Sequence, residues 1–482
     1  MSKSKKAIYN CRTIKIDINK THPMYNKLRK YGHLNKNLYN YALYEIRQLY
    51  ILSKKTNDGI KLSRKEKYYL KSVYKWIANY NIKVFKGEVE GKKYLKLKKI
   101  LGGYYMNREI LSKRLLDKKD YKALPVGIAK KTIWNLDGVW KAYFSSMFQY
   151  IKTPQLYTNK PNLPNYKTPN RKDSKAQYLF IMDNSQIKIN NGILTFTAKR
   201  DKDLKNYSFT IPKLKQWSIT GKRDCNLMEV RFIPKGIKYT MEIVYGIPKK
   251  QIVSNHKRII GIDIGVDRLA TVSNNIGQKP FAINGKPLKS INNYWNKQVA
   301  NYKSNLMKVN GKHSSKQYLN MCNKRNNRIN TYIHQSAAYI IKWCVENQID
   351  TIVIGKNKFW KQNCNIGKST QTFVQLPFDR FIQNIQYRAE DKGIEVILNE
   401  ESYTSKSSFI DNDDIPNYDT EKKEKHNFSG KRTKRGLYVA KEGTKIHADL
   451  NGSYNIIRKK FQDFSYSENC YLHPYIVTPN CN

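Results

Sequence analysis

The stretch RIIGIDIGVDRLATVS, residues 258–273, sets the fold of the C-terminal half of this chain. Its alternation predicts two strands joined by a tight turn. Because side chains alternate along a strand, Asp263 shares a face with Gly261 and Gly265, opposite the isoleucines. A buried carboxylate is costly unless it is paired or bound to metal, and we expect the two glycines to leave room for a divalent ion and a phosphate. The same pattern also fits an ordinary strand-end Asp beside a Gly-Val-Asp turn.

Further elements follow this hairpin. The pattern predicts strands at 259–266, 268–273, 351–354 and 394–398, and helices at about 295–347, 378–392 and 451–461. A hairpin followed by strands that alternate with helices is typical of an α/β sheet. We therefore expect an α/β domain from about residue 256.

Acidic residues accompany two of the later elements. Glu400 and Glu401 follow a strand in succession, and Asp449 lies two residues before Asn451, which suits the N-cap of the last helix. Phosphodiester hydrolysis by two Mg²⁺ ions needs more than one carboxylate. Three acids after three core elements therefore indicate a metal-dependent site in which Asp263, one of the two Glu and Asp449 come together.

The N-terminal half has a different pattern. The first 150 residues carry apolar residues at helical spacing, and residues 152–173 form a connection rich in Pro, Asn, Thr and Lys. Short apolar runs separated by turn residues fill 177–248, a pattern that favours a small β-barrel.

The amino-acid composition limits the kinds of partner that this chain can have. The chain has 482 residues, and 90 Lys and Arg against 37 Asp and Glu give a formal net charge of +53. A polyanion relieves such self-repulsion through phosphate contacts. No apolar run approaches the roughly 20 residues of a membrane span, and the N-terminus does not resemble a signal peptide, so we expect no membrane partner and an intracellular location, in bacterial cytoplasm or a nucleus. Seven scattered Cys without C-x-x-C spacing favour neither disulfides nor zinc.

Four segments together resemble a known family. GIDIGVDRLATVS, IVIGKNKFWKQ, NEESYTSKSSFIDNDDIPNY and ADLNGSYNIIRK are similar to the successive RuvC-like nuclease segments of TnpB proteins, transposon-encoded RNA-guided nucleases related to Fanzors and type V CRISPR effectors. LPVGIAKKTIWNLDGVWKAYF and KPNLPNYK fall where that family carries recognition helices and a wedge domain. The resemblance covers roughly residues 125–460.

The resemblance implies roles for particular residues. Asp263 matches the first catalytic Asp and Asp449 the last. Most TnpB proteins carry the middle Glu at the end of the strand that here ends in Gly355, which cannot bind metal. A minority, Fanzors included, uses a later Glu before a Tyr-Thr-Ser-Lys-like segment, which corresponds to Glu401, with Glu400 as the alternative.

The implied architecture is a multidomain α+β protein that combines an RNase H-like (RuvC) α/β nuclease domain, an N-terminal helical recognition domain and a β-barrel wedge domain. The expected segments are 1–30 (first part of the wedge barrel), 31–150 (recognition helices), 151–255 (rest of the wedge and linker), 256–402 (nuclease), 403–446 (target-binding loop without a zinc ribbon), 447–465 (last nuclease segment) and 466–482 (tail). The loop from Ser405 to Ile446 is either a zinc-free contact to nucleic acid or a solvated hairpin.

The resemblance also implies function. The expected activity is Mg²⁺-dependent, RNA-guided DNA cleavage with two Mg²⁺ ions, a guide (omega) RNA and a target DNA as partners, no zinc, and a monomer or dimer on the RNA. Two alternatives stay open: a guided DNA-binding repressor without cleavage, and a DNA transposase.

Overall fold

The computed structural model describes residues 9–89, 93–167, 178–211, 226–248, 252, 254–311, 313–357, 370–417, 426–462, 464 and 472–479. The chain divides into two compact units, Met1–Pro248 and Lys249–Asn482. Within the described ranges, no helix is both long enough and apolar enough to cross a membrane.

The first unit is built mainly from long helices and short strands. Its helices are α1 (Tyr25–Asn57), α2 (Arg64–Phe85), α3 (Arg108–Arg114), α4 (Lys119–Lys122) and α5 (Val126–Lys152). Its strands are β1 (Tyr9–Ile18), β2 (Lys98–Ile100), β3 (Gly103–Tyr105), β4 (Phe180–Asp183), β5 (Ile187–Asn190), β6 (Ile193–Phe196), β7 (Ser208–Thr210), β8 (Asn226–Lys235) and β9 (Lys238–Pro248). The helical pattern of the first 150 residues is confirmed by α1 and α5.

The helices bury the apolar stripes that the sequence predicts. Leu38, Ala42, Ile46 and Leu49 of α1 are fully or almost fully buried. Helix α5 begins directly after Pro125 and buries Trp140, whose ring packs edge-on against Tyr50 of α1 with 5.4 Å between ring centroids. Burying aromatic rings of this size contributes most of the cohesion between the two helices.

The strands of the first unit form open sheets in the described residues, and the small β-barrel expected from the sequence is not found among them. One sheet has the order β1-β9-β8-β4, and β5-β6-β7 form another. Closure would require β4 to pair with β1 at strongly tilted angles. Instead, aromatic residues of this sheet pack on α1: the ring of Phe180 contacts Tyr31, and that of Tyr239 contacts Tyr25. A helix therefore covers apolar surface that a barrel would enclose.

The second unit is a mixed α/β structure. Its strands are β10 (Ile259–Asp263), β11 (Arg268–Asn274), β12 (Phe281–Asn284), β13 (Thr351–Gly355), β14 (Glu395–Asn399), β15 (Lys431–Lys434), β16 (Leu437–Val439), β17 (Lys445–His447) and β18 (Tyr475–Val477). Its helices are α6 (Lys286–Asn310), α7 (Lys316–Glu346), α8 (Thr370–Gln375), α9 (Phe378–Lys392) and α10 (Ala448–Lys460).

A six-stranded sheet of order β14-β13-β10-β11-β12-β18 organises this unit. Strands β10, β13 and β14 run parallel, whereas β11 is antiparallel to both β10 and β12. Residues of β10 and β13 such as Ile260 and Ile352 share a core with α7 and α9, while Ile259 and Val353 share another with α10. The sheet therefore has helices on both faces, and the carboxyl ends of its three parallel strands lie at one edge.

Two expectations are corrected. The helix predicted over 295–347 is two helices, because Gly311 adopts a left-handed conformation (φ 56°) that ends α6 and the Ser315 side chain caps α7. Gly261 does not leave room for an ion or a phosphate, since a Cβ at that position would lie 2.2 Å from the carbonyl oxygen of Ser453 in α10. The glycine is needed for close contact between strand and helix.

Candidate active site

The carboxyl edge of the parallel strands collects the acidic residues singled out in the sequence. Asp263 is the last residue of β10, and Glu400 and Glu401 follow directly after β14. Between these strands, β13 ends at Gly355, which is paired in register with Asn399. Parallel strands end on the same side of a sheet, so Asp263 and the two Glu share one edge.

Asp263 has a strongly perturbed carboxyl group. One of its oxygens, Oδ2, lies 3.2 Å from the position that a Cβ on Gly452 of α10 would take. Burial raises the pKa of Asp263 well above its usual value, and the negative charges of Glu401 and then Asp449 raise it further, against an opposing effect of Arg432. The three predicted acids therefore interact electrostatically.

Glu401 is held at the end of β13. Its backbone N–H donates to Oδ1 of Asn357 (3.1 Å), and its carbonyl oxygen accepts from the Thr404 hydroxyl (2.8 Å). Its carboxylate lies in the space above Gly355, because a Cβ on that glycine would be only 2.6 Å from Oε2 of Glu401. Burial, together with the neighbouring charge of Glu400, raises the pKa of Glu401 to about 7.

Glu400 has different surroundings. Its carboxylate pairs with the buried ammonium of Lys459 and accepts from the backbone N–H of Ser402 (2.8 Å). Although partial burial acts to raise it, these partners hold the pKa of Glu400 below its usual range. Lys459 also donates to the carbonyl oxygens of Ser402 and Pro416, at 2.9 and 3.0 Å. Glu400 is therefore engaged in an ion pair, whereas Glu401 interacts with Asp263.

Asp449 lies in the first turn of α10. The helix begins at Ala448, three residues before the predicted N-cap Asn451, which is fully buried inside it. The actual N-cap is His447, whose Nδ1 accepts from the backbone N–H of Asp449 (3.2 Å). Burial and the charge of Arg268 lower the pKa of His447 to about 4, so near neutral pH its ring is uncharged and can accept this bond.

Basic side chains contact this edge, among them two from the basic run at 431–435 in the predicted target-binding loop. Arg268 Nη1 lies 3.4 Å from Oδ2 of Asp449, and Arg432 Nη2 lies 3.5 Å from its Oδ1. Arg435 pairs with Asp267 at 2.6 Å. Arg268 lies within the stretch that sets the fold, and Arg432 and Arg435 belong to the basic run at 431–435, which is visible in the sequence as a local excess of positive charge.

The loop before α10 uses several of its acidic residues structurally. Asp411 accepts from the backbone N–H of Lys441 (2.9 Å), and Asp413 accepts from those of Ser408 and Ser429 (2.7 and 3.0 Å). Strands β15, β16 and β17 form a small antiparallel sheet in this loop. Asp419 and Glu421, which also belong to its acidic stretch, lie outside the described residues.

The donor chemistry of the edge suits a hard divalent cation. The three carboxylates offer oxygen ligands of the kind Mg²⁺ prefers, and two of them have raised pKa values that a bound cation would reverse. Across the described ranges, however, no three His, Cys, Asp or Glu side chains meet closely enough to hold a metal ion. Asp449 is instead paired with Arg268 and Arg432.

Comparison with known proteins identifies two regions of this unit. A family model described as a probable transposase (OrfB_IS605) matches residues 242–361, which include Asp263. A second model, described as the TNB domain of Cas12f1-like proteins, matches residues 378–456, which include Glu401 and Asp449. No curated protein matches the chain.

Solved structures show distant similarity. A Cas12f1–sgRNA–target DNA complex is 14% identical with a TM-score of 0.31, over 93% of this chain and 100% of that chain. A Cas12i(E894A)–crRNA–dsDNA complex is 12% identical with a TM-score of 0.32, over 80% of this chain and 56% of that chain. C2c1 of Alicyclobacillus acidoterrestris with single-guide RNA is 9% identical with a TM-score of 0.30, over 92% of this chain and 70% of that chain. The two family models occur in order and agree with the resemblance of the four sequence segments, and together they support a relationship of residues 242–361 and 378–456 to TnpB-like proteins.

Proposed function

We propose that this chain is an RNA-guided DNA endonuclease that cleaves phosphodiester bonds at the edge formed by β10, β13 and β14. The observation that carries the proposal is that Asp263 and Glu401, at the ends of two separate strands, both have raised pKa values, and that the charges of Glu401 and of Asp449 in α10 contribute to the raised pKa of Asp263. Burial alone cannot explain it, since both other acids raise the pKa of Asp263. Perturbed carboxylates clustered at one edge favour a catalytic site over isolated helix caps.

The order of the sheet supports an RNase H-like (RuvC) nuclease fold. Three antiparallel strands, β12, β11 and β10, continue into the parallel strands β13 and β14. In such open sheets the functional residues lie at the carboxyl ends of the parallel strands. The wedge and recognition domains are proposed for the first unit by the same family resemblance.

In this proposal Asp263, Glu401 and Asp449 would hold two Mg²⁺ ions. When bound, these ions would activate water and stabilise the leaving 3′-oxygen. The carboxyl groups of Asp263 and Glu401 must be deprotonated to bind a cation, and Asp449 must exchange its arginine partners. Lys459 keeps Glu400 in an ion pair outside this set. Glu401 is therefore the middle ligand and Glu400 a supporting residue.

Partners follow from the family and from the charge. A net charge of +53 provides far more positive groups than a short DNA duplex would neutralise, so we propose a structured guide RNA as a resident partner and DNA as the target. Pairing between guide and target would supply sequence recognition, and the protein would read a short flanking DNA motif.

The experiment uses the full chain purified with the RNA that it binds in the cell. That RNA is sequenced, and the complex is incubated with Mg²⁺ and a DNA that matches the RNA. We expect cleavage that EDTA stops and that Asp263→Ala and Asp449→Ala abolish without loss of RNA. Glu346→Gln, which removes an acid from an exposed pair on α7, is the matched control and should cleave normally.

One observation favours a second candidate, a guided DNA-binding protein without cleavage. The described residues contain no assembled group of three metal ligands, and Arg268 and Arg432 form ion pairs with Asp449. This candidate predicts RNA-dependent DNA binding that is unchanged by Asp263→Ala, with no cleavage at any Mg²⁺ concentration. Cleavage by the wild-type complex would exclude it.

A further inference from the structure

A groove in the first unit lies between the end of α1 and one face of α2. The groove is shallow and open to solvent, with a volume of about 780 Å³, and its lining includes Ile60, Leu62, Leu70 and Tyr74. Two of these apolar residues are unusually open to solvent, since Ile60 is 53% exposed and Tyr74 39% exposed. A groove lined by apolar side chains with polar groups at its border has the composition of a ligand site.

Lysines line the same groove in a regular row. Lys67, Lys71 and Lys75 are four residues apart on α2, so they follow one another along one side of the helix, and all three are exposed. Among the described side chains, none forms an ion pair with them. The one acidic residue of α2, Glu66, is bonded to Lys55 (2.9 Å) and to the backbone of the helix N-cap.

The row of three lysines destabilises α2 by charge repulsion, and no contact among the described residues offsets this repulsion. Like charges at i and i+4 destabilise a helix, and α2 carries two such steps on the groove side. The described part of the chain provides no acid that would neutralise them. An external polyanion would, and it would place its backbone along the lysines at the border of the apolar floor.

Tyr74 is held in a fixed position at this border. Its ring packs edge-on against Tyr104, with 6.4 Å between centroids. One part of the ring is therefore anchored in the protein, while the exposed part faces the groove that it lines. A fixed aromatic ring beside a row of cations is the arrangement by which proteins stack an unpaired base and follow its backbone.

We propose that this groove binds an unpaired segment of the guide RNA, with a base inserted against Tyr74 and Ile60 and the phosphates along Lys67, Lys71 and Lys75. The inference rests on the proposed function for the presence of RNA and adds a site for it. An unpaired RNA base fits better than the target DNA strand, because the target is paired to the guide and exposes no base to enter a groove.

The chain provides matched controls on the same helix. Lys65 and Lys83 each lie about 120° around α2 from Lys71, at 100° per residue, and neither lines the groove. Tyr68, which is 76% exposed and also outside the lining, is the matched aromatic control. Lysine-to-glutamine changes relieve repulsion within α2, so they do not threaten its folding.

The first experiment irradiates the complex of full chain and bound RNA with ultraviolet light and maps the crosslinked residues by mass spectrometry. We expect an RNA crosslink at or next to Tyr74 that is absent from Tyr74→Ser and retained in Tyr68→Ser. No crosslink within residues 60–78, or a crosslink there only when target DNA is present and to that DNA, overturns the proposal.

The second experiment measures affinity for the same RNA over a series of salt concentrations. Lys71→Gln should weaken binding and reduce the salt slope by about 0.7, the value for one contact to a single strand, while Lys83→Gln should do neither. Tyr74→Ser should lower affinity by about 5- to 150-fold, the range for loss of one stacked base. Equal effects of Lys71→Gln and Lys83→Gln would show that the RNA is attracted non-specifically by positive charge, and would refute the proposal that it binds in the groove.

The outcomes separate this inference from the proposed nuclease. If the complex cuts DNA but shows no RNA crosslink in the groove, the groove assignment fails and the nuclease stands. If the groove crosslinks RNA but no DNA is cut, the RNA site stands and the nuclease proposal fails.

Discussion

The two adjacent glutamates differ in their expected contribution to stability. Glu401→Gln should stabilise the metal-free protein at alkaline pH, although it removes a proposed catalytic residue. The pKa of Glu401 is raised from 4.5 to about 7, chiefly by burial. Its ionised form is therefore disfavoured in the folded state. The group costs nothing below pH 4.5, its cost grows as the pH rises to about 7, and the cost is constant above that.

The magnitude follows from the shift. At 1.36 kcal/mol per unit of pKa, ionised Glu401 costs the folded state about 3 kcal/mol above neutral pH. A neutral glutamine removes this cost. For a unit of roughly 230 residues the variant should melt about 6–12 °C higher than wild type at pH 8, and the gap should close towards pH 5.

Glu400→Gln is the matched control and should act in the opposite direction. It leaves the Lys459 ammonium, whose side chain is only 5% exposed, without its carboxylate partner. This variant should be less stable than wild type at pH 8. Cleavage should be lost in Glu401→Gln and retained, at reduced level, in Glu400→Gln.

The assay follows tryptophan fluorescence during heating of the RNA complex in EDTA at pH 5, 6, 7 and 8, and then with Mg²⁺. Because Mg²⁺ binds only the ionised carboxylate, it should raise the melting temperature of wild type at pH 8 by more than that of Glu401→Gln, which keeps Asp263 and Asp449 but lacks one ligand. The reasoning is refuted if Glu401→Gln melts below wild type at pH 8, or if both variants respond to pH in the same way.

Three further predictions concern the same edge. Gly355→Ala should reduce cleavage at least tenfold and also lower the melting temperature, because the new Cβ would lie 2.6 Å from Oε2 of Glu401 and 2.6 Å from Cδ1 of the buried Ile456; Gly138→Ala in α5, where a Cβ meets nothing within 4 Å, should leave cleavage unchanged and should not lower the melting temperature. Gly261→Ala should destabilise the second unit by about 1–3 kcal/mol, measured as a lower midpoint in urea, because its Cβ would meet helix backbone. Asp263→Asn should melt higher than wild type at pH 8 in EDTA, since burial raises the pKa of this carboxyl, and a decrease would contradict that cause.

The elements of the second unit were predictable because their signals are local. Strand β10 could be recognised from alternating isoleucines and α9 from its helical spacing, and the structure places α9 at the predicted bounds, Phe378–Lys392. The break at Gly311 was missed because one glycine in a polar, Lys- and Asn-rich stretch is compatible with a continuous helix. In the structure Gly311 ends α6 as a left-handed C-cap.

The choice between Glu400 and Glu401 could not be made from the sequence, because both directly follow the same strand. In our proposal the choice depends on residues distant in the chain. Lys459 of α10 forms an ion pair with Glu400, and Gly355 of β13 leaves space for the carboxylate of Glu401. Whether the strands of the first unit close into a barrel could not be decided from the sequence for the same reason, since strand patterns do not show which edges pair. Helix α1 covers the sheet of the first unit through contacts far apart in sequence.

Gly355 and Glu401 depend on each other. Most TnpB proteins resemble one another in carrying a Glu at the position of Gly355, and its absence here would by itself suggest a chain that binds DNA without cutting. Yet Gly355 is paired in register with Asn399, two residues before Glu401, so an acid from the neighbouring strand can reach the same space. It can do so only if position 355 has no side chain, because a Cβ there would lie 2.6 Å from the Glu401 carboxylate. Loss of one acid thus creates the room that the other needs, and the glycine supports the proposed nuclease.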